Sequence, residues 1–300
     1  MADGIINVYK EKGFTSHDVV AKMRGILKQK KIGHTGTLDP MAEGVLPVCL
    51  GKATKLCDLL TDKTKTYKAV MLLGKETDTQ DMTGTILSEY PVDVKEDEVR
   101  EAVLSFLGPY NQIPPMYSAL KIDGKKLYEL AREGKEVERK ARPVEILEIR
   151  VDHIELPKVT MTITCSKGTY IRTLCYDIGK KLGCGGCMDS LVRTQVSRFL
   201  LKDSLTLSQI EELRDEGTLG EHILAVDKVF ADYPAIVMKP EFDKLVHNGN
   251  PFLRDQAQES SAPEEGPLRV YDSENKFIGV YEPDRERNIL KPQKVFLGGN

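Results

Sequence analysis

Val144-Glu145-Ile146-Leu147-Glu148-Ile149-Arg150-Val151-Asp152-His153-Ile154, followed by Val159-Thr160-Met161-Thr162-Ile163-Thr164-Cys165, is the passage on which the fold turns. Val144, Ile146, Ile149, Val151 and Ile154, then Val159, Met161, Ile163 and Cys165, are set among polar residues close to a period of two. That pattern marks neighbouring antiparallel strands with one buried face. Just downstream, Ile171, Leu174, Cys175, Ile178 and Leu182 recur at helical spacing, and Gly183 supplies the stop.

Upstream, residues 67–73 read as a strand, 74–84 as a charged loop closed by glycine, and 96–107 as a helix through Val99, Val103, Phe106 and Leu107. Pro114 and Pro115 keep residues 111–117 out of any helix. Asp123-Gly124 signals a tight turn, and residues 127–133 a short helix. At the start, residues 5–9 read as a strand, and a helix over about 17–28 follows Thr15-Ser16 as N-cap candidates. A glycine-rich loop over 33–40 leads into the apolar run 45–50. From about Ala231 the texture changes to short strand-like pieces at 235–238, 268–271, 277–281 and 294–297. Strands and helices come in mixed order rather than in steady βαβ alternation, which argues α+β with a mixed, largely antiparallel sheet. At 300 residues one large domain (1–230) and a small β-rich one (231–300) are expected.

A 40% hydrophobic and 30% charged composition is that of an ordinary globular protein, which excludes fibrous and disordered classes. No stretch approaches the roughly 20 apolar residues of a membrane helix. The N-terminus lacks a basic segment followed by an apolar run, so a signal peptide is not expected and the cytoplasm is the default location. Net charge is −3, yet basic residues cluster at Lys28-Gln29-Lys30-Lys31, at Lys63, Lys65 and Lys68, and between Lys121 and Arg142. Local clusters of this kind bind phosphates whatever the remote charge, and equally serve as solvated faces. Cys184-Gly185-Gly186-Cys187 is the one close cysteine pair; no second pair completes a zinc set, so no metal is expected.

The loop Gly33-His34-Thr35-Gly36-Thr37-Leu38-Asp39-Pro40 gathers an imidazole, two hydroxyls and a carboxylate. Its glycines permit close backbone approaches, and Pro40 biases Asp39 toward an extended conformation. It reads either as a catalytic loop or as a structural turn in which Asp39 serves neighbouring N–H groups. It lacks the spacing of a phosphate-binding P-loop.

This loop, continuing Met41-Ala42-Glu43-Gly44-Val45-Leu46-Pro47-Val48, closely resembles the signature of the TruB family of tRNA pseudouridine-55 synthases. The resemblance runs along the whole chain. It includes Lys10-Glu11-Lys12-Gly13-Phe14-Thr15-Ser16, Gly51-Lys52-Ala53-Thr54-Lys55, Lys65-Thr66-Tyr67 and Gly74-Lys75-Glu76-Thr77-Asp78-Thr79-Gln80-Asp81. It continues through the stretch from Gln112-Ile113-Pro114-Pro115 to Lys121, Gly168-Thr169-Tyr170-Ile171-Arg172 and Leu191-Val192-Arg193-Thr194.

The resemblance implies that Asp39 is the catalytic aspartate and that the Arg172 guanidinium pairs with it. It implies that Tyr67 stacks on the target base, that Tyr170 lines the site from a strand, and that His34 contacts RNA near the vacated base. Leu191 would contact substrate in the pocket, with Lys10 and Lys55 as supporting basic residues. It further implies a thumb-like insertion over about 110–142 that closes on RNA, and a PUA-like C-terminal domain. The partner would be tRNA through its T-arm, with no protein partner and a monomeric enzyme. Breaking the N1–C1′ bond, turning the uracil and joining C5 to C1′ transfers no electrons to a carrier, so no cofactor is expected. A base inside a folded RNA must be flipped out, and an aromatic platform offsets the lost stacking. Arg172 is expected to keep Asp39 ionised. Two positions depart from the family pattern: Glu11 replaces a common proline, and Val192 a common arginine. The rival readings are a non-catalytic tRNA-binding or tRNA-folding protein on the same scaffold, a different nucleotide-using enzyme and, within the family, a guide-RNA-dependent eukaryotic or archaeal relative, for which nothing in the sequence suggests the extra contacts.

Overall fold

The alternating passage forms a hairpin of β10 (Arg142–Glu155) and β11 (Lys158–Cys165), pairing Ile149 with Ile163 and Val151 with Met161. Register shifts fall between Ile146 and Glu148 and between Val151 and His153. These irregularities explain why the apolar positions step by three at 146–149 and 151–154: an extra residue in one strand resets which face the next side chain takes. Ile146, Val159, Met161 and Ile163 are fully buried.

The computed structural model describes residues 2–61, 63–122, 124–258, 265–284 and 286–297. The first strands are β1 (Gly4–Lys10), β2 (Ile32–His34), β3 (Glu43–Leu50), β4 (Lys65–Leu73), β5 (Lys75–Thr77), β6 (Ile86–Glu89) and β7 (Gly108–Gln112). Next come β8 (Lys121–Ile122) and β9 (Lys125–Lys126), then the hairpin β10–β11, then β12 (Gly186–Val196), β13 (Phe199–Leu200) and β14 (Ile223–Leu224). The main helices are α1 (Ser16–Leu27), α2 (Cys57–Thr61), α3 (Glu96–Leu104), α4 (Leu127–Arg132), α5 (Ile171–Leu182) and α6 (Leu207–Asp215).

The large sheet runs β14-β1-β3-β12-β4-β11-β10-β7, with β2 on β3 and β13 on β12. Its named pairings are antiparallel except β3 with β12, where Glu43 and Gly44 lie beside Val192 and Arg193. Helices α3 and α5 cover the β4–β11–β10 region over a core containing Ala69, Met71, Val103, Met161, Leu174 and Ile178. Strands β1 and β3 are buried on both faces, which is why 45–50 reads as an unbroken apolar run. Helices α1 and α6 pack on one face through Ile6, Val8, Leu46 and Val48. On the other face, Ile5, Val45 and Cys49 share a core with Val280 and Phe296.

Val280 belongs to a second sheet, ordered β15 (Ala235–Val237), β17 (Leu268–Tyr271), β18 (Phe277–Asp284), β19 (Ile289–Val295) and β16 (Phe252–Leu253), and Phe296 directly follows β19. A last helix, α7 (Asp243–His247), packs within the same region through Val246. The α+β architecture is as expected.

Several local expectations are corrected. Residues 75–77, within the expected loop, form a strand that pairs antiparallel with residues 86–89, and the helix from Glu96 ends at Leu104. Gly33 and His34 belong to β2 rather than to the loop. The last strand begins at Ile289, well before 294. Tyr170 is not in a strand: it is the N-cap of α5, and Arg172 lies in the first turn. The pairing of Lys121 with Lys126 fits the expected turn, although Asp123 lies outside the described residues.

Candidate active site

The loop bearing Asp39 leaves β2, crosses the end of β1 and enters β3. Three anchors hold it. Ser16, fully buried at the start of α1, accepts a hydrogen bond from the Leu38 N–H at 2.9 Å. Lys10, also fully buried, donates from Nζ to the carbonyls of Ala42 (2.6 Å), Pro40 (3.1 Å) and Glu11 (3.3 Å). The Gly13 N–H reaches Pro40 O at 2.9 Å, and the Ala42 N–H closes a turn onto Asp39 O at 3.0 Å. Glu11 therefore acts here through its backbone carbonyl, a group that proline also possesses.

Asp39 is crowded by protein on most sides, yet its side chain keeps 38% of its exposure, so one side of the carboxylate opens outward. Arg172 is 5% exposed, and its Nη2 lies 3.4 Å from Asp39 Oδ1. The same nitrogen donates to Tyr117 O at 2.6 Å, while Nη1 lies 3.6 Å from Asp81 Oδ2. Asp81 is fixed in turn: its Oδ1 accepts from the Thr83 N–H (2.9 Å), Thr83 Oγ1 (2.5 Å) and Thr79 Oγ1 (2.8 Å). One guanidinium thus lies between two carboxylates. Desolvation raises the pKa of Asp39 above the ordinary carboxylate value; Arg172 and Lys10 pull it down, and Asp81 pushes it up. The guanidinium alone does not set the balance, because burial is the larger effect. A carboxylate tuned upward is a better base than an exposed one.

Tyr170 stands beside this pair, with the Arg172 guanidinium 5.9 Å from its ring centroid. Its backbone is gripped by the Gln112 amide, which accepts from Tyr170 N–H at 2.8 Å and donates to Tyr170 O at 3.0 Å. Tyr67 on β4 is 8% exposed and Leu191 on β12 is 7% exposed, in the same apolar cluster as Leu38 and Ala42. His34 is half-buried, edge-to-face with His17 at 5.2 Å, and its Nδ1 accepts from the Gly36 N–H at 3.3 Å. Desolvation, with His17 and Arg193 nearby, lowers its pKa to about 4, so the ring is neutral at physiological pH.

Asp39, Arg172 and Tyr170 are therefore brought together, with Tyr67 and Leu191 in the adjoining core. Lys10 is a fully enclosed prop beneath the loop. Lys55 is elsewhere: it lies beyond the far end of β3, roughly 24 Å of strand away, and donates to Val295 O at 2.8 Å. Val192 is half-buried between Glu43 and Lys68. Asp81, Gln112 and Arg193 carry no signal in the sequence beyond membership of the quoted motifs, and Ser16 only that of an N-cap candidate besides. Among the described residues no group of three or more His, Cys, Asp or Glu side chains is placed to hold a metal ion, and Cys184 and Cys187 are free, buried thiols.

Comparison with known proteins fits this geometry. The model of the TruB family pseudouridylate synthase N-terminal domain matches residues 24–171. That of the tRNA pseudouridylate synthase B C-terminal domain matches residues 172–231. A protein of Lachnoclostridium phytofermentans named tRNA pseudouridine synthase B is 55% identical, over 98% of this chain and all of that one. The chain belongs to the TruB family of pseudouridylate synthases.

A Clostridium kluyveri protein of the same name is 46% identical over 93% of this chain and 94% of its own. A chain of a Cbf5-Nop10-Gar1 complex superposes with a TM-score of 0.72 at 27% identity, covering 98% of this TruB-family chain and 85% of that one. The two family models meet between Ile171 and Arg172, so Asp39 and Tyr67 fall in the first and Arg172 and Leu191 in the second. This chain is a pseudouridine synthase, an isomerase. Among its described residues, no helix is long and apolar enough to cross a membrane.

Proposed function

We propose that this chain isomerises uridine 55 in the T-loop of tRNA to pseudouridine, with Asp39 attacking, or taking a proton from, the flipped-out nucleoside. The observation that carries the reading is the half-open Asp39 carboxylate set against the buried Arg172, in a chain 55% identical to a tRNA pseudouridine synthase B. Arg172, fixed by Asp81 and the Tyr117 carbonyl, orients Asp39. Tyr67 supplies the ring for the extruded base, Tyr170 and Leu191 the pocket walls, and neutral His34 a hydrogen bond near the vacated position. Lys10 acts through the loop it supports.

We divide the chain at about residue 230 into a catalytic domain and a PUA-like RNA-binding domain, with the thumb over 110–142. Within the thumb Lys126 and Arg132 lie against the Tyr128 ring, and Lys121, Lys125 and Lys135 are exposed, the last two beside Glu133, which supports a role for them in meeting an RNA backbone. The protein acts as a cytoplasmic monomer on the T-arm. The test incubates protein with unmodified tRNA transcript and no cofactor, then maps pseudouridine by carbodiimide-dependent reverse-transcription stops. A stop at position 55 is expected; stops only elsewhere would refute the site assignment, and none at all the activity.

A further inference from the structure

Arg193 is 1% exposed, and among the described residues no carboxylate pairs with it. A buried guanidinium without a counter-ion is costly, and a leucine there would fill space at less expense. Its electrostatic surroundings add to the cost, because the ammonium of Lys10 is near enough for the two like charges to oppose each other. What it touches is informative. Nε donates to Val45 O at 2.7 Å on β3 and Nη2 to Gly36 O at 3.4 Å in the Asp39 loop, while Tyr67 lies directly opposite on β4, near enough for the guanidinium to draw its phenol pKa downward against burial. One rigid planar group therefore joins the loop, the strand the loop feeds and the aromatic ring.

The geometry points to Arg193 as a positioning residue of the reaction, which sets the place of the Tyr67 ring relative to the loop carrying Asp39. This rests on the uridine-isomerising reading above. A stacked base presents its sugar to Asp39 only if ring and loop keep a fixed separation, and misplacement by about 1 Å costs on the order of 100-fold in rate. Lysine keeps the charge but has neither the plane nor the three-way fork.

The test compares the full-length protein with Arg193→Lys and Arg193→Met. It measures single-turnover pseudouridine formation and tRNA Kd, with 3-fluorotyrosine ¹⁹F NMR on the free protein. The Tyr67 resonance is assigned by its loss in Tyr67→Phe. Arg193→Lys is expected to fold, to bind tRNA within about threefold of wild type and to react about 30-fold more slowly, equivalent to about 2 kcal/mol. Its Tyr67 resonance should move while that of Tyr281, buried in the second sheet, stays put. In a Tyr67→Phe background the same change should cost less than about threefold. A wild-type rate, an unmoved Tyr67 resonance, or an equal cost without the phenol would each overturn the inference. Failure of Arg193→Lys to fold would do so too, assigning the residue to folding alone; Arg193→Met is read only where it folds. If wild-type protein forms no pseudouridine, the functional reading fails, and the fluorine spectra still decide whether Arg193 holds Tyr67.

Discussion

Replacing Lys10 with methionine gives a sharp pH test of how the catalytic loop is supported. The ammonium is fully buried on three carbonyls, and desolvation lowers its pKa from 10.5 to about 8, with Asp39 and Glu43 pulling the other way. The unfolded chain holds this proton up to about 10.5 and the folded chain only to about 8, so between those values the unfolded state binds more protons and stability rises with pH. Below about pH 8 the wild type carries the whole penalty, on the order of 3 kcal/mol at about 1.36 kcal/mol per tenfold. Lys10→Met removes that linkage. Urea unfolding of both proteins at steps from pH 7 to 10.5 should show wild type gaining about 3 kcal/mol relative to the variant across that window. Taking the difference cancels the tyrosines and thiols that titrate in the same range. The wild-type single-turnover rate should fall over the same window, as the Pro40 and Ala42 carbonyls lose their charged donor. Parallel stability curves would show that the carbonyls fully compensate the burial, and would refute the reasoning.

Three further expectations follow from particular contacts. Gly44 has φ +103, and a Cβ there would sit 2.3 Å from Arg193 O, so Gly44→Ala should cost about 3–5 kcal/mol in chemical denaturation. Gly13, with φ +89 and open space around it, should lose only about 1–2 kcal/mol on the same change; equal losses would discount the close strand approach. Gln112→Leu removes both hydrogen bonds on the Tyr170 backbone and should slow single turnover about 10-fold with tRNA Kd unchanged, whereas a change in Kd alone would place Gln112 in binding. His34, with its pKa lowered to about 4, should stay neutral between pH 5 and 8; an NMR titration of its ring protons with a midpoint above 6 would contradict that environment.

Much of the fold was legible because alternation and apolar runs report burial directly. The β10–β11 hairpin showed even its irregularities, as three-residue steps in the apolar pattern. Strand β12 was not legible. Its register shifts between Met188 and Ser190 and between Arg193 and Gln195 break the alternation, and its buried arginine looks like a surface residue. Tyr170 has extended backbone angles (φ −97, ψ 107) immediately before a helix, so locally it resembles the end of a strand. The loop around Asp39 and its pairing with Arg172 came from the motif series. The supports under them did not, because a buried Lys10 or Asp81 is made tolerable by carbonyls and hydroxyls that only the folded chain assembles. Lys55 shows the converse: a basic residue inside a motif whose contact in the structure is with the second sheet.

The most direct test of the central claim uses tRNA transcript carrying tritium at uracil C5, because joining C5 to C1′ must expel that hydrogen. Wild-type protein should release one tritium per tRNA, and Asp39→Asn none while still binding the transcript. Sustained release by the asparagine variant would contradict the role given to this carboxylate, and no release by wild type would contradict the reaction itself.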